Sequence, residues 1–450
     1  MLGKTMAWFM STPNVPEIDK QKREAQALRD SRPDLSTLSD TQLVGRARSI
    51  QRHLVAMFAQ HVAASLGASV GPGVLGAVTA EIDPTMVPKL LAGVGDIDSA
   101  RIANDIWILS RNVRGSIPLS DLFNSGIDGI EGRISASADP SVIVFRAAVA
   151  DFMFLHGGRG PNEWDVYSAV YETRPALLFS AVDRLRKNDD SADPVAGEAR
   201  SAAERERVRA QLAAALEGNN EACAMLAAGL DSARVFMGAR ERCKTNNIRA
   251  LHEVRMCFNE LARRAVAAGH LSDPRHYFML TEDELDPFMD DPRSFAATLA
   301  ERLTDFEKLS ELSPPYIVDG AASPLSAWDR RSDEASTPVA PGEILKGIAG
   351  SPGVVTGTAK VLLTIDDPTD LEPGDILIAP STDPSWTPLF LAAAAVVVNV
   401  GAVGTHAVIV SRELGIPCVP SIVDATRRIP SGANITVDGG RGTVTVNSLP

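Results

Sequence analysis

Between Asp319 and Gly342 the chain reads DGAASPLSAWDRRSDEASTPVAPG, and the residue pattern on its two sides obeys two different periods. Small residues, prolines and scattered charges cannot bury enough apolar surface to fold alone, so this segment reads as a semi-extended linker. Its 24 residues would reach roughly 80 Å if stretched. The fold class expected is therefore multidomain: an all-α domain over 1–318, a flexible linker over 319–342, and a small α/β (β/β/α) domain over 343–450.

Upstream of the linker, residues 17 to about 310 carry helical periodicity almost throughout. Ser39 with Gln42 three residues later is a capping-box pattern that opens an amphipathic stretch through Leu66. Further helical runs are expected from Ala202 to Leu230 and from Val235 to Ala268, and Lys187 to Glu198 (KNDDSADPVAGE) reads as a loop. Downstream, the short β-branched runs AKVLLTI, GDILIAP, AAVVVNV, NITVDGG and GTVTVN alternate with Gly and Pro turns, which predicts strands. One helix interrupts them. It is expected to begin near His406 and to end at Leu414, with Gly415 as C-cap and Pro417 just beyond.

Composition excludes several classes of function. A formal net charge of −13 argues against gripping nucleic acid, which needs clustered cations to displace counterions. The longest strictly apolar run, Leu389 to Val398, is too short for a bilayer, and the N-terminus has no sustained apolar core of a secretory signal. Cys223, Cys243, Cys257 and Cys418 form no CxxC pair and have no companion histidines at zinc spacing. No metal site is expected, the thiols read as reduced and buried, and the expected location is cytoplasmic, with no membrane or nucleic-acid partner.

The sharpest chemical signal is GAVGTHAVIVSRELGIPCV, residues 401–419. A buried strand runs into a Gly-rich turn, and His406 stands where the helix starts. The positive end of a helix disfavours imidazolium, leaving a neutral ring nitrogen free to attack phosphorus. The unpaired N–H groups there suit the phosphoryl oxygens once attached, and Thr405 could add a hydroxyl. A lone histidine at such a place more often only caps a helix or packs in a corner.

The surrounding residues shift that balance. GSPGVVTGTAKV (350–361), PGDILIAPSTDPSWTPLF (373–390), THAVIVSRELGIP (405–417) and VDGGRGTV (437–444) resemble, in order, the phosphohistidine swivelling domain of the phosphoenolpyruvate-utilising enzymes. The resemblance implies that His406 becomes phosphorylated. Gly404–Thr405 departs from the family pattern but keeps a hydroxyl beside the histidine. LLAGVGDIDSARIANDIWILSR (90–111), HGGRGPNEWDVYSAVYETRPALL (156–178), GHLSDPRHYFMLTEDEL (269–285) and SELSPPYIVDG (310–320) are similar to the antibiotic-binding region of the rifampin phosphotransferases.

The same resemblance gives Arg240 and Lys244, four apart on one helix face, the role of holding a travelling phosphoryl group. The bland alternative is a solvated face. His156, Arg159 and Glu163, in HGGRGPNEWD, are candidates for an acceptor pocket; the alternative is a buried Arg159–Glu163 pair that pins the turn. His252 reads as a packed histidine, and no general base for the acceptor can be placed.

Members of this family normally charge the histidine with an ATP-grasp domain, and residues 1–320 show neither a GxxxxGK[ST] loop nor alternating strands and helices. No pyruvate-binding barrel is expected either. The expected function is thus the phosphohistidine-bearing component of a dikinase-type phosphotransferase. It would relay an ATP-derived phosphoryl group through His406 to a small organic hydroxyl acceptor, with ATP and Mg²⁺ supplied by a separate ATP-grasp subunit, an organisation like that of phenylphosphate synthase. The alternatives are a fragment left by domain loss and a non-catalytic small-molecule-binding or regulatory protein that keeps the fold.

Overall fold

The computed structural model describes all residues except 1, 96, 191–192, 316–317, 332–336 and 366–370. Two helices organise the N-terminal domain: Asp40–Thr79 and Asn220–Ala267. The first opens on the expected capping box, with Ser39 Oγ accepting the Gln42 N–H at 3.2 Å and Gln42 Oε1 accepting the Ser39 N–H at 2.8 Å. They lie against each other at backbone distance. A Cβ on Gly71 would sit 2.5 Å from the Ala233 nitrogen, so only glycine permits the approach. Both are long and apolar enough to cross a membrane by length and composition, a test that core helices also pass.

The second and third expected helical runs are redrawn. The chain breaks at Leu216–Asn219, between the Pro194–Ala215 helix and Asn220–Ala267, which then runs straight through Leu230–Val235. The physical reason is local. Gly218 adopts φ +88°, and the Asn219 side chain accepts the Ala222 N–H at 3.0 Å, so the GNN triplet stops one helix and caps the next. The loop expected to reach Glu198 ends earlier, because Asp193 caps the following helix through the Val195 N–H.

A two-stranded ribbon, β1 (Leu312–Ser313) with β2 (Asp329–Arg330), closes this domain. It ties the first part of the expected linker to the helices. Its far end, at Val339 and Gly342, donates backbone hydrogen bonds to the Arg428 and Val446 carbonyls. The segment between, 332–336, lies outside the described residues.

The C-terminal domain is a seven-stranded mixed sheet of β3 (Ile344–Lys346), β4 (Val354–Val361), β5 (Ile376–Ala379), β6 (Ala395–Val398), β7 (Cys418–Val419), β8 (Asn434–Asp438) and β9 (Thr443–Ser448), in the order β3-β9-β8-β4-β5-β6-β7. β4, β5, β6 and β7 are parallel, while β3, β9, β8 and β4 pair antiparallel. β5 and β6 are buried on both faces and read ILIA and AVVV; β8 alternates Asn-Ile-Thr-Val-Asp with only Ile435 and Val437 buried. The AKVLLTI run makes a strand only as far as Val361, with the β4 residues beginning five places earlier at Val354. The His406–Leu414 helix ends as expected, with Gly415 at φ +72°.

One apolar core runs across both domains. Ile102, Ile106 and Trp107 of the helical domain share it with Leu389, Phe390, Val408 and Leu414 of the sheet domain. The backbones also meet: a Cβ on Gly197 would lie 2.5 Å from the Leu414 carbonyl oxygen.

Candidate phosphohistidine site

Ligands in parallel α/β sheets collect beyond the carboxyl ends of the strands, and that is where this chain gathers its polar groups. β5 leads into Ser381–Thr382–Asp383, and the neighbouring β6 leads into the Gly-rich turn before His406. His406 Nδ1 lies 3.0 Å from Thr382 Oγ1, and Nε2 lies 3.4 Å from Thr387 Oγ1. Phe390 stands edge-on to the imidazole at 5.6 Å. Thr405 does not join this shell. Its hydroxyl donates to the Ala402 carbonyl at 2.8 Å and closes the turn instead, so the hydroxyls beside the ring come from Thr382 and Thr387.

Burial lowers the His406 pKa well below its ordinary value, and Lys244, Arg159 and Arg240 lower it further. The ring is therefore neutral near pH 7. These three cations belong to the helical domain, so the sequence-derived candidates Arg159, Arg240 and Lys244 do converge on His406 in this arrangement. Two carboxylates partly balance them. Glu163 takes Arg159 Nε at 2.6 Å and Lys244 Nζ at 3.0 Å, and Glu241 pairs with Arg240. Glu163 is 1% exposed; burial would raise its pKa, but the charges of Arg159 and Lys244 win and hold it below the usual carboxylate range. Three cations of the helical domain thus face the imidazole, each paired with one of these two carboxylates, and Asp383 of the sheet domain stands in the same cleft.

His156 is buried at a helix end, with Nε2 2.7 Å from Asp105 Oδ2; burial keeps its pKa below the ordinary value despite that carboxylate. It lines a cavity with Arg159, whereas Glu163 faces a separate cleft between the domains. The three residues of the HGGRGPNEWD turn thus do not line one pocket mouth, and the Arg159–Glu163 pair does pin the turn. His252 is packed, as expected, with Nε2 2.7 Å from Glu172 Oε2 inside a network that includes Arg29, Arg32 and Glu253. Of the cysteines, Cys243, Cys257 and Cys418 are buried and Cys223 is half-buried.

The interdomain cleft, about 670 Å³, is walled by Trp164, Tyr167, Lys244, Thr382, Asp383 and Trp386. Asp383 crosses it and accepts the backbone N–H of Asn162 at 3.2 Å. Burial raises the Asp383 pKa. Among the described residues no group of His, Cys, Asp or Glu is placed to hold a metal ion.

Residues 371–442 match the family described as PEP-utilising enzyme, mobile domain, and residues 48–241 match the rifampicin phosphotransferase fourth domain. The chain belongs to the PEP-utilising enzyme family. A rifampicin phosphotransferase of Streptomyces sviceus is 30% identical over 67% of this chain and 34% of its own length. That of Bacillus subtilis is 26% identical over the same shares, 67% and 34%. A phosphoenolpyruvate synthase of Aeropyrum pernix is 43% identical over 30% of this chain and 17% of its own. The chain spans about a third of the length of the curated rifampicin phosphotransferases it matches.

Within the family's mobile domain, Thr382, Thr387 and Asp383 were not singled out from sequence. The PSTDPSWTP segment that carries them has a readable signal, hydroxyl and carboxyl groups just past a buried strand. Glu413 was also missed. It sits on the His406 helix, 2% exposed, accepts the Val94 and Gly95 N–H groups of the helical domain, and is pushed up to about 7 by burial and by Glu198.

Proposed function

We propose that this chain is the phosphohistidine-bearing component of a dikinase-type phosphotransferase. The observation that carries this reading is a neutral imidazole, His406, on one domain facing Arg159, Arg240 and Lys244 on the other. In the attacking tautomer Thr382 Oγ1 accepts Nδ1–H, and the Nε2 lone pair, with only the long 3.4 Å contact to Thr387, is available to phosphorus. Nε2 forms a bond to the phosphorus of an ATP-derived phosphoryl group, and the phosphorus–oxygen bond to the nucleotide breaks with its electron pair on the leaving oxygen. In the second step a hydroxyl oxygen of a small organic acceptor attacks the phosphorus. The nitrogen–phosphorus bond breaks with its pair returning to Nε2, and the acceptor's hydroxyl proton is released to solvent. Arg240 and Lys244 neutralise the transferring oxyanions, and the cleft walled by Trp164 and Trp386 shelters the acceptor from water.

ATP and Mg²⁺ belong, in this reading, to a separate ATP-grasp subunit of a cytoplasmic assembly. When bound there, Mg²⁺ supplies charge neutralisation of the nucleotide phosphates. In this reading the sheet domain travels between the two stations.

The test is phosphorylation of the purified chain with β- and γ-labelled ATP, alone and with a candidate ATP-grasp partner. Acid-labile, base-stable label on the wild type and none on His406→Ala supports the relay. No label under any pairing rejects it.

A further inference from the structure

The cavity behind Arg159 has a charge pattern that the relay does not explain. It encloses about 200 Å³ and is lined by Lys22, Asp98, Arg101, His156, Arg159 and Arg249, among others. These side chains come from separate segments: the Pro16–Asp30 helix, the first turn of Asp98–Arg114, the end of Pro140–His156, the turn after it, and the middle of Asn220–Ala267. Four are cations and one is a carboxylate. His156 adds no negative charge, since it is neutral and its Nε2 is spent on Asp105.

The cations are under-compensated as well as numerous. Arg159 is 3% exposed; its Nε is taken by Glu163 and its Nη1 by Thr245 Oγ1 at 3.1 Å, but Nη2 has no partner. Glu163 divides its charge between Arg159 and Lys244. Among the described residues Arg249 makes no side-chain hydrogen bond or ion pair, although it is largely enclosed. Burial lowers its pKa, Arg159 and Arg101 lower it further, and only Asp98 opposes them. Arg101 is exposed at the mouth, whereas Arg159 is buried and Arg249 half-buried. Holding these last two guanidinium groups partly out of water beside one another is unfavourable unless an anion joins them. Their fork geometry matches the paired oxygens of phosphate or carboxylate. The volume lies below the usual ~300–1,000 Å³ of pockets for larger ligands, so it suits one oxyanion group or a small acid.

We propose that this cavity is an oxyanion pocket, filled by the phosphate or carboxylate group of a small metabolite held between Arg101, Arg159 and Arg249. It is separate from the His406 site, and Arg159 is the residue common to both. A ligand there would reach the relay through that one guanidinium.

The test is isothermal titration of the full chain with inorganic phosphate in one arm and succinate in the other. One of the two is expected to bind at one site per chain. Arg249→Gln is expected to weaken that binding at least tenfold, and His406→Ala to change it less than twofold. The arm that binds identifies phosphate or carboxylate as the group recognised. Equal affinity in wild type and Arg249→Gln overturns the assignment, as does loss of binding in His406→Ala, which would place the anion at the transfer site. No binding in either arm overturns it too. Should Arg249→Gln fail to fold, Arg101→Gln carries the same expectation. Because the readout is binding, a negative phosphorylation result would leave it untouched.

Discussion

Glu163 Oε1, in the turn after the Pro140–His156 helix, lies 3.0 Å from Lys244 Nζ on the long helix, 81 residues further along the chain. This contact, completed by Arg159 on the other oxygen, fixes the height at which Lys244 faces His406. Removing the carboxylate leaves two buried cations without their counter-charge, a loss of about 3 kcal/mol. Glu163→Gln should lower the denaturant midpoint accordingly with little change in slope, and a midpoint within experimental error of wild type would show that the pair holds nothing.

Thr382 holds the His406 ring through the 3.0 Å contact at Nδ1, and the proposed transfer needs its oxygen to accept Nδ1–H. Thr382→Val should slow phosphohistidine formation by ~10²-fold, a value typical of losing one positioned polar partner. The thermal midpoint should stay close to wild type. Because burial and the three cations lower the His406 pKa, the docked imidazole should stay neutral below pH 6.5 in a magnetic-resonance titration of its ring protons, where a free imidazole would already be largely protonated. A pH profile with an inflection at or above that value would contradict the electrostatic reading.

Glu413 should make docking of the two domains pH-dependent. Docked, its pKa is about 7 against an ordinary 4.5; the groups around it are Glu198, Arg205 and the Val94 and Gly95 amides. The sign follows from linkage. The docked state binds this proton more tightly, so the contribution of Glu413 to docking is full below about pH 4.5 and fades as pH rises to 7, levelling off above that. His406, whose pKa docking lowers, contributes with the opposite sign. The span is up to about 3 kcal/mol, at ~1.4 kcal/mol for each tenfold difference in proton affinity. Glu413→Gln should remove this slope in small-angle scattering measured from pH 5 to 8, and an unchanged slope would shift the cause elsewhere.

Gly197 sets how closely the Pro194–Ala215 helix approaches the end of the His406 helix, since a Cβ there would meet the Leu414 carbonyl at 2.5 Å. Gly197→Val should therefore loosen docking by about 1–3 kcal/mol, an overpacking cost. Faster hydrogen exchange in His406–Leu414, with unchanged exchange in Asp40–Thr79, is the expected signature. Uniformly faster exchange would instead mean that the helical domain itself had been damaged.

Local signals were legible where the chemistry is local. The Ser39–Gln42 capping box and the His406–Leu414 helix with its Gly415 cap follow from neighbouring residues alone. The GNN stop at 218–220 is just as local, yet helical periodicity on both sides masked it. The hydroxyls and carboxyl past β5 were readable as a polar cluster, but their pairing with His406 was not, because Thr382 and Thr387 arrive by strand order rather than by spacing. Thr405, adjacent in sequence, turns its hydroxyl to Ala402 instead. Lys244 and Arg159 were visible as charges, but their convergence depends on two domains meeting.

The shared apolar core has one more implication. Leu389, Phe390, Val408 and Leu414 lie at the seam, so a carrier that leaves the helical domain presents a greasy face to water at ~25 cal/mol for each Å² uncovered. A freely diffusing intermediate would be short-lived and prone to self-association. On the proposed relay, a partner that charges His406 is constrained in shape as well as chemistry: its landing site would have to offer a complementary apolar surface, so that departure from one station and arrival at the next are nearly isoenergetic.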